Sequence, residues 1–245
     1  MPEAPVHHFA AHHLTLLLEA WARSQSGVRV LRNLALRFLE DHPTTGIDPD
    51  VCVLAPAPPD LETLGSLCLW KPNHVAPPIC FEIVSANHPY KDYSVLQDRY
   101  AALGTHELVV FDPLLAGPPS LGGPVSLQLW RRHPSGPFER VHFSNTPAYS
   151  EVLDAWLIPD GRLLAIAEDR LGTKRWETDA ERAQDEARRA QDEARRAQDE
   201  ARRAQDEARQ AIDTAEKARI DAERERAERE SLARRLRELE AKLGR

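Results

Sequence analysis

The chain has 245 residues, a formal net charge of −7 and a 29% share of charged side chains, enough for one globular domain plus a further element. About 20 acidic and 18 basic side chains lie from Glu177 onward, leaving roughly −5 on the part before it, so neither part offers the Lys/Arg surplus that nonspecific phosphate binding needs. Cys52, Cys68 and Cys80 form no CxxC pair and no His-interleaved zinc pattern, which argues against a catalytic thiol and for reduced cysteines in a cytoplasmic protein.

In chain order, Leu14, Leu17, Leu18 and Trp21 recur at helical spacing and predict an amphipathic helix from about His12 to Arg23, ended by Ser26-Gly27. Val28 to Leu36 alternates as a half-buried strand does, and Pro43 to Gly46 turns the chain into a second strand around Asp50. Between Ala55 and Pro78 six prolines predict an extended surface excursion. Ile79 to Val84 reads as a strand. Asp92 to Leu103 reads as one helix, with Tyr93, Leu96, Tyr100 and Leu103 on one face and Gly104 placed to end it. A strand follows at 106–111, then a hairpin of Val125–Arg131 with Phe138–Phe143, and two short strands at 151–157 and 162–167 around Pro159-Asp160-Gly161. The layout is mixed α/β. No apolar run reaches the roughly 18 residues of a membrane span, and the start, with Glu3 and His7-His8, lacks a basic secretory segment, so no membrane partner is expected.

From Trp176 the sequence changes to a seven-residue repeat, Arg-Ala-Gln-Asp-Glu-Ala-Arg. Alanines keep a three-and-four spacing from Ala180 to Ala222, and the same seam continues through Glu225 and Arg229 to Leu232, Leu236, Leu239 and Leu243. A sustained seven-residue seam is the pattern that supercoils helices left-handedly. An alanine seam buries little, so helicity there rests on propensity and on ion pairs worth only about 0.2–0.5 kcal/mol each. The leucine end is the better segment for partner binding, and a homo-oligomer through a coiled coil is expected, with a solvated single helix as the alternative.

The residues that point to chemistry are Asp50 in Ile47-Asp48-Pro49-Asp50-Val51-Cys52-Val53-Leu54 and Glu82 in Ile79-Cys80-Phe81-Glu82-Ile83-Val84-Ser85. Ionised carboxylates lose several kcal/mol of hydration on burial, roughly, so two of them in apolar strands suggest a site. On neighbouring strands about 4.8 Å apart, side chains on one face would converge on a divalent cation, and a hard ion such as Mg²⁺ takes one or two carboxylates with water and phosphate oxygens. Such an ion can activate water against a phosphodiester. A satisfied structural carboxylate is the competing reading of each. His74 and His88 flank the Glu82 strand as candidates for a base or phosphate contact, Tyr90 could stack on a base, and Tyr93 and Tyr100 are at core spacing. His7, His8, His12 and His13 resemble a metal cluster in composition, but the sequence gives them no enforced geometry.

Gly46-Ile47-Asp48-Pro49-Asp50-Val51, then Phe81-Glu82-Ile83-Val84-Ser85, then Tyr100-Ala101-Ala102-Leu103-Gly104 before Leu108-Val109-Val110-Phe111-Asp112-Pro113 resembles the Uma2 family of restriction-endonuclease-like proteins, a branch of the PD-(D/E)XK nuclease fold. The resemblance implies a PD-(D/E)XK-like α/β core with a mixed sheet at residues 1–170, followed by the helical coiled-coil tail at 176–245. It implies a DNA endonuclease using Mg²⁺ or Mn²⁺, with Asp50 and Glu82 as metal ligands and catalytic residues and Glu19 on the first helix as a further ligand. It also implies a catalytic lysine two residues after the glutamate, where Val84 stands, or four residues before the tyrosine, where Leu96 stands. Leucine and valine supply no positive charge to orient water or offset the phosphate. Of the nearby cations Lys91 and Arg99, Lys91 is the candidate third catalytic residue. The rival expectation is an inactive nuclease-like binding module that scaffolds through its tail.

Overall fold

The computed structural model describes residues 5–243, with side chains as far as residue 240, so Glu3 and the Leu243 side chain lie outside the described residues. Helix α1 (Pro5–Ala22) starts about two turns before the expected point. Its Ala10, Ala11, Leu14, Leu18 and Ala22 form the stripe that enters the core. The expected strand after it is two, β1 (Arg29–Leu31) and β2 (Ala35–Arg37), separated where Asn33 takes a left-handed conformation (φ 50°). β3 (Gly46–Ile47) and β4 (Val51–Leu54) follow, with Asp50 immediately before β4.

The proline-rich stretch is not a bare surface excursion. It contains β5 (Ser66–Cys68), whose Leu67 is fully buried and which pairs in parallel with β2. The prolines flank β5 rather than interrupt it, so they remove no ladder hydrogen bond.

β6 (Ile79–Ile83) leads to α2 (Pro89–Ser94) and α3 (Leu96–Leu103), two helices with a break at Val95 where one was expected. Gly104 closes α3 in the left-handed region (φ 92°), as its position predicts. β7 (Glu107–Phe111) runs parallel to β6, and β8 (Leu127–Arg132) and β9 (Phe138–Ser144) form the expected hairpin. β10 (Ala148–Ser150), β11 (Ala155–Asp160) and β12 (Leu163–Ala167) complete the strands, so the expected strand at 151–157 is shifted by a turn over its first residues.

A six-stranded mixed sheet, in order β1-β4-β6-β7-β8-β9, organises the domain. Val51, Val53, Ile79, Phe81 and Ile83 point to the face covered by α1 and the β10-β11-β12 sheet. Cys52, Leu54, Cys80 and Val84 point to the other face, against α2, α3 and the small β3-β2-β5 sheet. Strands covered on both faces read as continuous apolar runs, and a carboxylate within one stands out for that reason.

Two compact units divide the chain, the first ending at Arg182 and the second being Ala183–Arg245. The first extends beyond the expected boundary at 170 because Trp176 stacks on Trp21 at 5.6 Å and Asp179 pairs with Arg23. Helix α4 (Asp179–Leu243) opens with a capping box, in which the Glu181 amide donates to Thr178 Oγ1 (3.2 Å) and the Thr178 amide to Glu181 Oε2 (2.8 Å). In the second unit the side chains are solvent-exposed, and Arg–Glu pairs four apart recur, such as Arg229–Glu225 at 3.0 Å and Arg226–Glu230 at 3.4 Å. Among the described residues no helix is long and apolar enough to cross a membrane.

Candidate functional site

Asp50 and Glu82 come together by strand register. β4 and β6 are antiparallel with Val51 opposite Phe81, so the next step sets Asp50 opposite Glu82, at the about 4.5–5.5 Å Cα separation of such pairs. Side chains alternate along strands, which puts both carboxyls on the face shared with Cys52, Cys80 and Val84.

Their surroundings differ. Asp50 Oδ2 accepts from the Ile83 amide at 2.6 Å and lies 3.1 Å from His7 Nε2, on the first turn of α1. Glu82 is only 3% exposed, and its Oε1 accepts from the Tyr100 hydroxyl at 2.5 Å. Burial pushes the Glu82 carboxyl well above the usual range, the Asp50 charge adds to the rise, and the Tyr100 hydrogen bond and the Lys91 ammonium oppose it. The Tyr100 hydroxyl is likewise pushed up, by burial first and then by Glu82.

A third carboxyl belongs to this cluster. Asp92 in α2 is buried, accepts from the Ser85 amide at 3.4 Å and is pushed up to about 6, by burial first, with Lys91 and the Ser85 hydrogen bond pulling down and Asp50 pushing up. Sequence reading passed over Asp92 because an acidic residue in the first turn of a helix is ordinary there. It named His7 only within a histidine cluster without enforced geometry, because the helix was expected to begin later.

Lys91 is exposed, and its positive charge bears on both Glu82 and Asp92. Leu96 and Val84, at the positions where the resemblance calls for lysine, are each 1% exposed and share one apolar cluster with Tyr93 and Tyr100. Arg99 and His88 are exposed. His74 is a structural histidine: its Nδ1 accepts from the Cys68 amide (3.1 Å) and its Nε2 meets Asp60 (3.2 Å). Glu19 is not brought to the carboxyl cluster. It lines a cleft with Ala22, Arg23 and Val28–Val30, near the other end of α1, three turns beyond His7. Burial makes Cys52 and Cys80 inert, pushing the Cys52 thiol up to about 12 and Cys80 well above its ordinary value.

Residues 1–117 match the model of the Uma2 family, described as "Putative restriction endonuclease". Over these residues the chain is similar to the Uma2 family. Among solved structures, the chain is similar to that titled as a putative nuclease belonging to DUF820 from Anabaena variabilis ATCC 29413, at 14% identity and a TM-score of 0.40, over 62% of this chain and 75% of that one. No curated protein matches. The Uma2 match spans α1 to β7 and so takes in Asp50, Glu82, Lys91 and Asp92.

Against the needs of Mg²⁺, the donor set of this domain is a pair of carboxyls of unequal exposure, Asp50 half-buried and Glu82 buried. Mg²⁺ takes one or two carboxylates from protein, and here one of the two is buried and accepts from Tyr100. Among the described residues no group of three or more His, Cys, Asp or Glu side chains is spaced to hold a metal ion. Of the expected ligands Asp50, Glu82 and Glu19, the first two share a cluster with Asp92, bordered by His7, Lys91 and Tyr100, and Glu19 lies elsewhere on α1.

The second helix is held from outside its own sequence. Tyr93 Oη donates to Asp112 Oδ2 (3.0 Å) and faces the Val125 carbonyl (2.9 Å), while the Gly117 amide donates to the same Asp112 oxygen (2.8 Å). A Cβ on Gly117 would lie 2.1 Å from Tyr93 Cζ, so that loop position admits only glycine while the ring stays in place.

Proposed function

We propose that this chain is a nuclease-fold binding module that no longer hydrolyses phosphodiesters, takes DNA as its ligand and assembles with further copies of itself through α4. The observation that carries the reading is the burial of Leu96 and Val84 where a lysine would act, beside a Glu82 carboxyl held toward neutrality. A site without a fixed cation cannot orient water or balance charge on a cleaved phosphate. The exposed Leu232, Leu236 and Leu239 at three-and-four spacing support self-association.

The test is incubation of purified protein with supercoiled plasmid in Mg²⁺ and in Mn²⁺, alongside a gel-shift assay with duplex DNA. Bound but uncut DNA is the expected result. Nicking that disappears in both Asp50→Ala and Glu82→Ala would overturn it. Sedimentation of the full chain is expected to give a dimer or larger species, and a monomer at high concentration removes the assembly.

A second reading, a metal-dependent DNA endonuclease of the Uma2 kind, is favoured by one observation. Asp50 and Glu82 face each other on one side of the sheet with the Lys91 charge acting on Glu82. Asp50 and Glu82 would then hold Mg²⁺ or Mn²⁺ and Lys91 would offset phosphate charge. In the plasmid assay, nicking lost in Lys91→Ala as well as in the carboxyl variants would select it.

A further inference from the structure

Helix α4 carries its seam at positions a and d of the seven-residue repeat, with Ala183 and Leu232 at d and Ala187 and Leu236 at a. The flanking positions g and e are charged in a one-sided way. Of the eight g residues from Glu186 to Arg235, six are acidic and Arg235 alone is basic. Of the nine e residues from Gln184 to Glu240, four are glutamine, Arg219 and Arg226 are basic, and Glu240 alone is acidic. The side chains of both flanks are exposed.

We propose that α4 pairs with α4 of a second copy in parallel and in register; this rests on the self-assembly proposed above and adds its orientation. In a parallel pair each g residue faces the e residue of the next heptad on the other helix, whereas an antiparallel pair sets g against g and e against e. Antiparallel pairing would lay the acidic g flank against itself. Parallel pairing lays it against glutamine and arginine, with Asp221 facing Arg226 of the second copy. The two exceptions answer each other, because Arg235, the basic g residue, faces Glu240, the acidic e residue. Arg226 also meets Glu230 on its own helix at 3.4 Å, and a guanidinium has donors for both. The seam fixes the register. In register, the Glu225–Arg229 pair (3.0 Å) meets the same pair of the second copy, and Leu232, Leu236 and Leu239, each more than half exposed in the single chain, meet their counterparts. A slide of one heptad would set the Glu225 carboxylate against Leu232 instead. Both helices then start at the same end, so the two domains that precede them are tethered together and can engage one DNA molecule jointly.

Cysteine cross-linking in the full chain tests the orientation, since Cys52, Cys68 and Cys80 are buried and out of reach of mild oxidation. Ala183→Cys and Ala218→Cys, both at d, are each expected to give a disulfide-linked dimer on a non-reducing gel. An antiparallel pair brings a position against itself only at its crossing point, so it cannot link both. Asp199→Cys, on the outer face, and the unaltered chain are expected to stay unlinked. Arg235→Glu should weaken dimerisation in sedimentation about fivefold, and Arg235→Glu combined with Glu240→Arg should restore it. A monomer at every concentration removes the self-assembly and this orientation with it. A dimer in which either seam variant fails to link, in which Asp199→Cys links equally, or in which the charge exchange does not restore association overturns the parallel pairing alone.

Discussion

Glu82 and Glu107 sit on adjacent parallel strands, on opposite faces and towards opposite ends of the sheet, both buried, and they are equipped in opposite ways. Glu107 is fully provided for: Oε1 accepts from Arg131 Nε (2.8 Å) and the Glu151 amide (2.9 Å), and Oε2 from Ser150 Oγ (2.5 Å). Through these bonds it ties β7 to β8 and to the turn after β10. Glu82 has the Tyr100 hydroxyl and a distant ammonium, set against burial and a facing aspartate. A buried carboxylate with a guanidinium and several donors is architecture; one with a single donor and like-charged neighbours weakens the fold where it stands, which is a mark of functional sites.

The largest effect should come from removing the architectural glutamate. Glu107→Ala leaves the Ser150 hydroxyl, the Glu151 amide and Arg131 Nε without their acceptor, although Arg131 keeps Glu151 and the Tyr149 carbonyl, and is expected to lose about 2–4 kcal/mol in a urea-melting experiment, whereas Glu82→Gln should gain stability at pH 8. Equal losses in the two variants would erase the contrast between them.

Asp92→Asn sharpens the same point through pH. With the carboxyl pushed up to about 6 from its ordinary 3.8, the folded chain still holds a proton between those values that the unfolded chain has released. Stability is therefore greatest below that window and falls as pH rises through it, by about 3 kcal/mol at most. The Asn variant should be about 1–3 kcal/mol more stable than wild type at pH 8, with the gain shrinking toward pH 4. A gain independent of pH would detach it from the Asp92 charge.

Tyr100→Phe removes the one donor to Glu82 among the described residues and should cost about 0.5–1.5 kcal/mol, while lifting the Glu82 carboxyl further, as followed by carboxyl resonances on titration. Smallest is the exposed pair in the tail. Arg229→Ala should change helicity by only about 0.2–0.5 kcal/mol, and less in high salt.

The strands bearing Asp50 and Glu82 were legible because apolar residues on both sides of each acid announce burial on two faces, and register did the rest. The Val95 break was not, since Tyr93, Leu96, Tyr100 and Leu103 keep their helical spacing across it and all reach the core. β5 was hidden by prolines that border it. Asp92 carried no signal at all, because an acid in the first turn of a helix is ordinary and nothing local shows that the chain folds back to bring the Ser85 amide onto it. Glu19 shows the reverse failure: a carboxylate on the right helix, at the wrong end of it.

Gly117 gives the carboxyl cluster a remote handle. The side chain it lacks is what lets Tyr93 lodge beside Asp112, and Tyr93 follows Asp92 directly in the chain. Enlarging that one loop position should leave the sheet standing yet shift the segment that presents Lys91 and Asp92, so the cluster can be mistuned from a residue that touches none of its carboxyls.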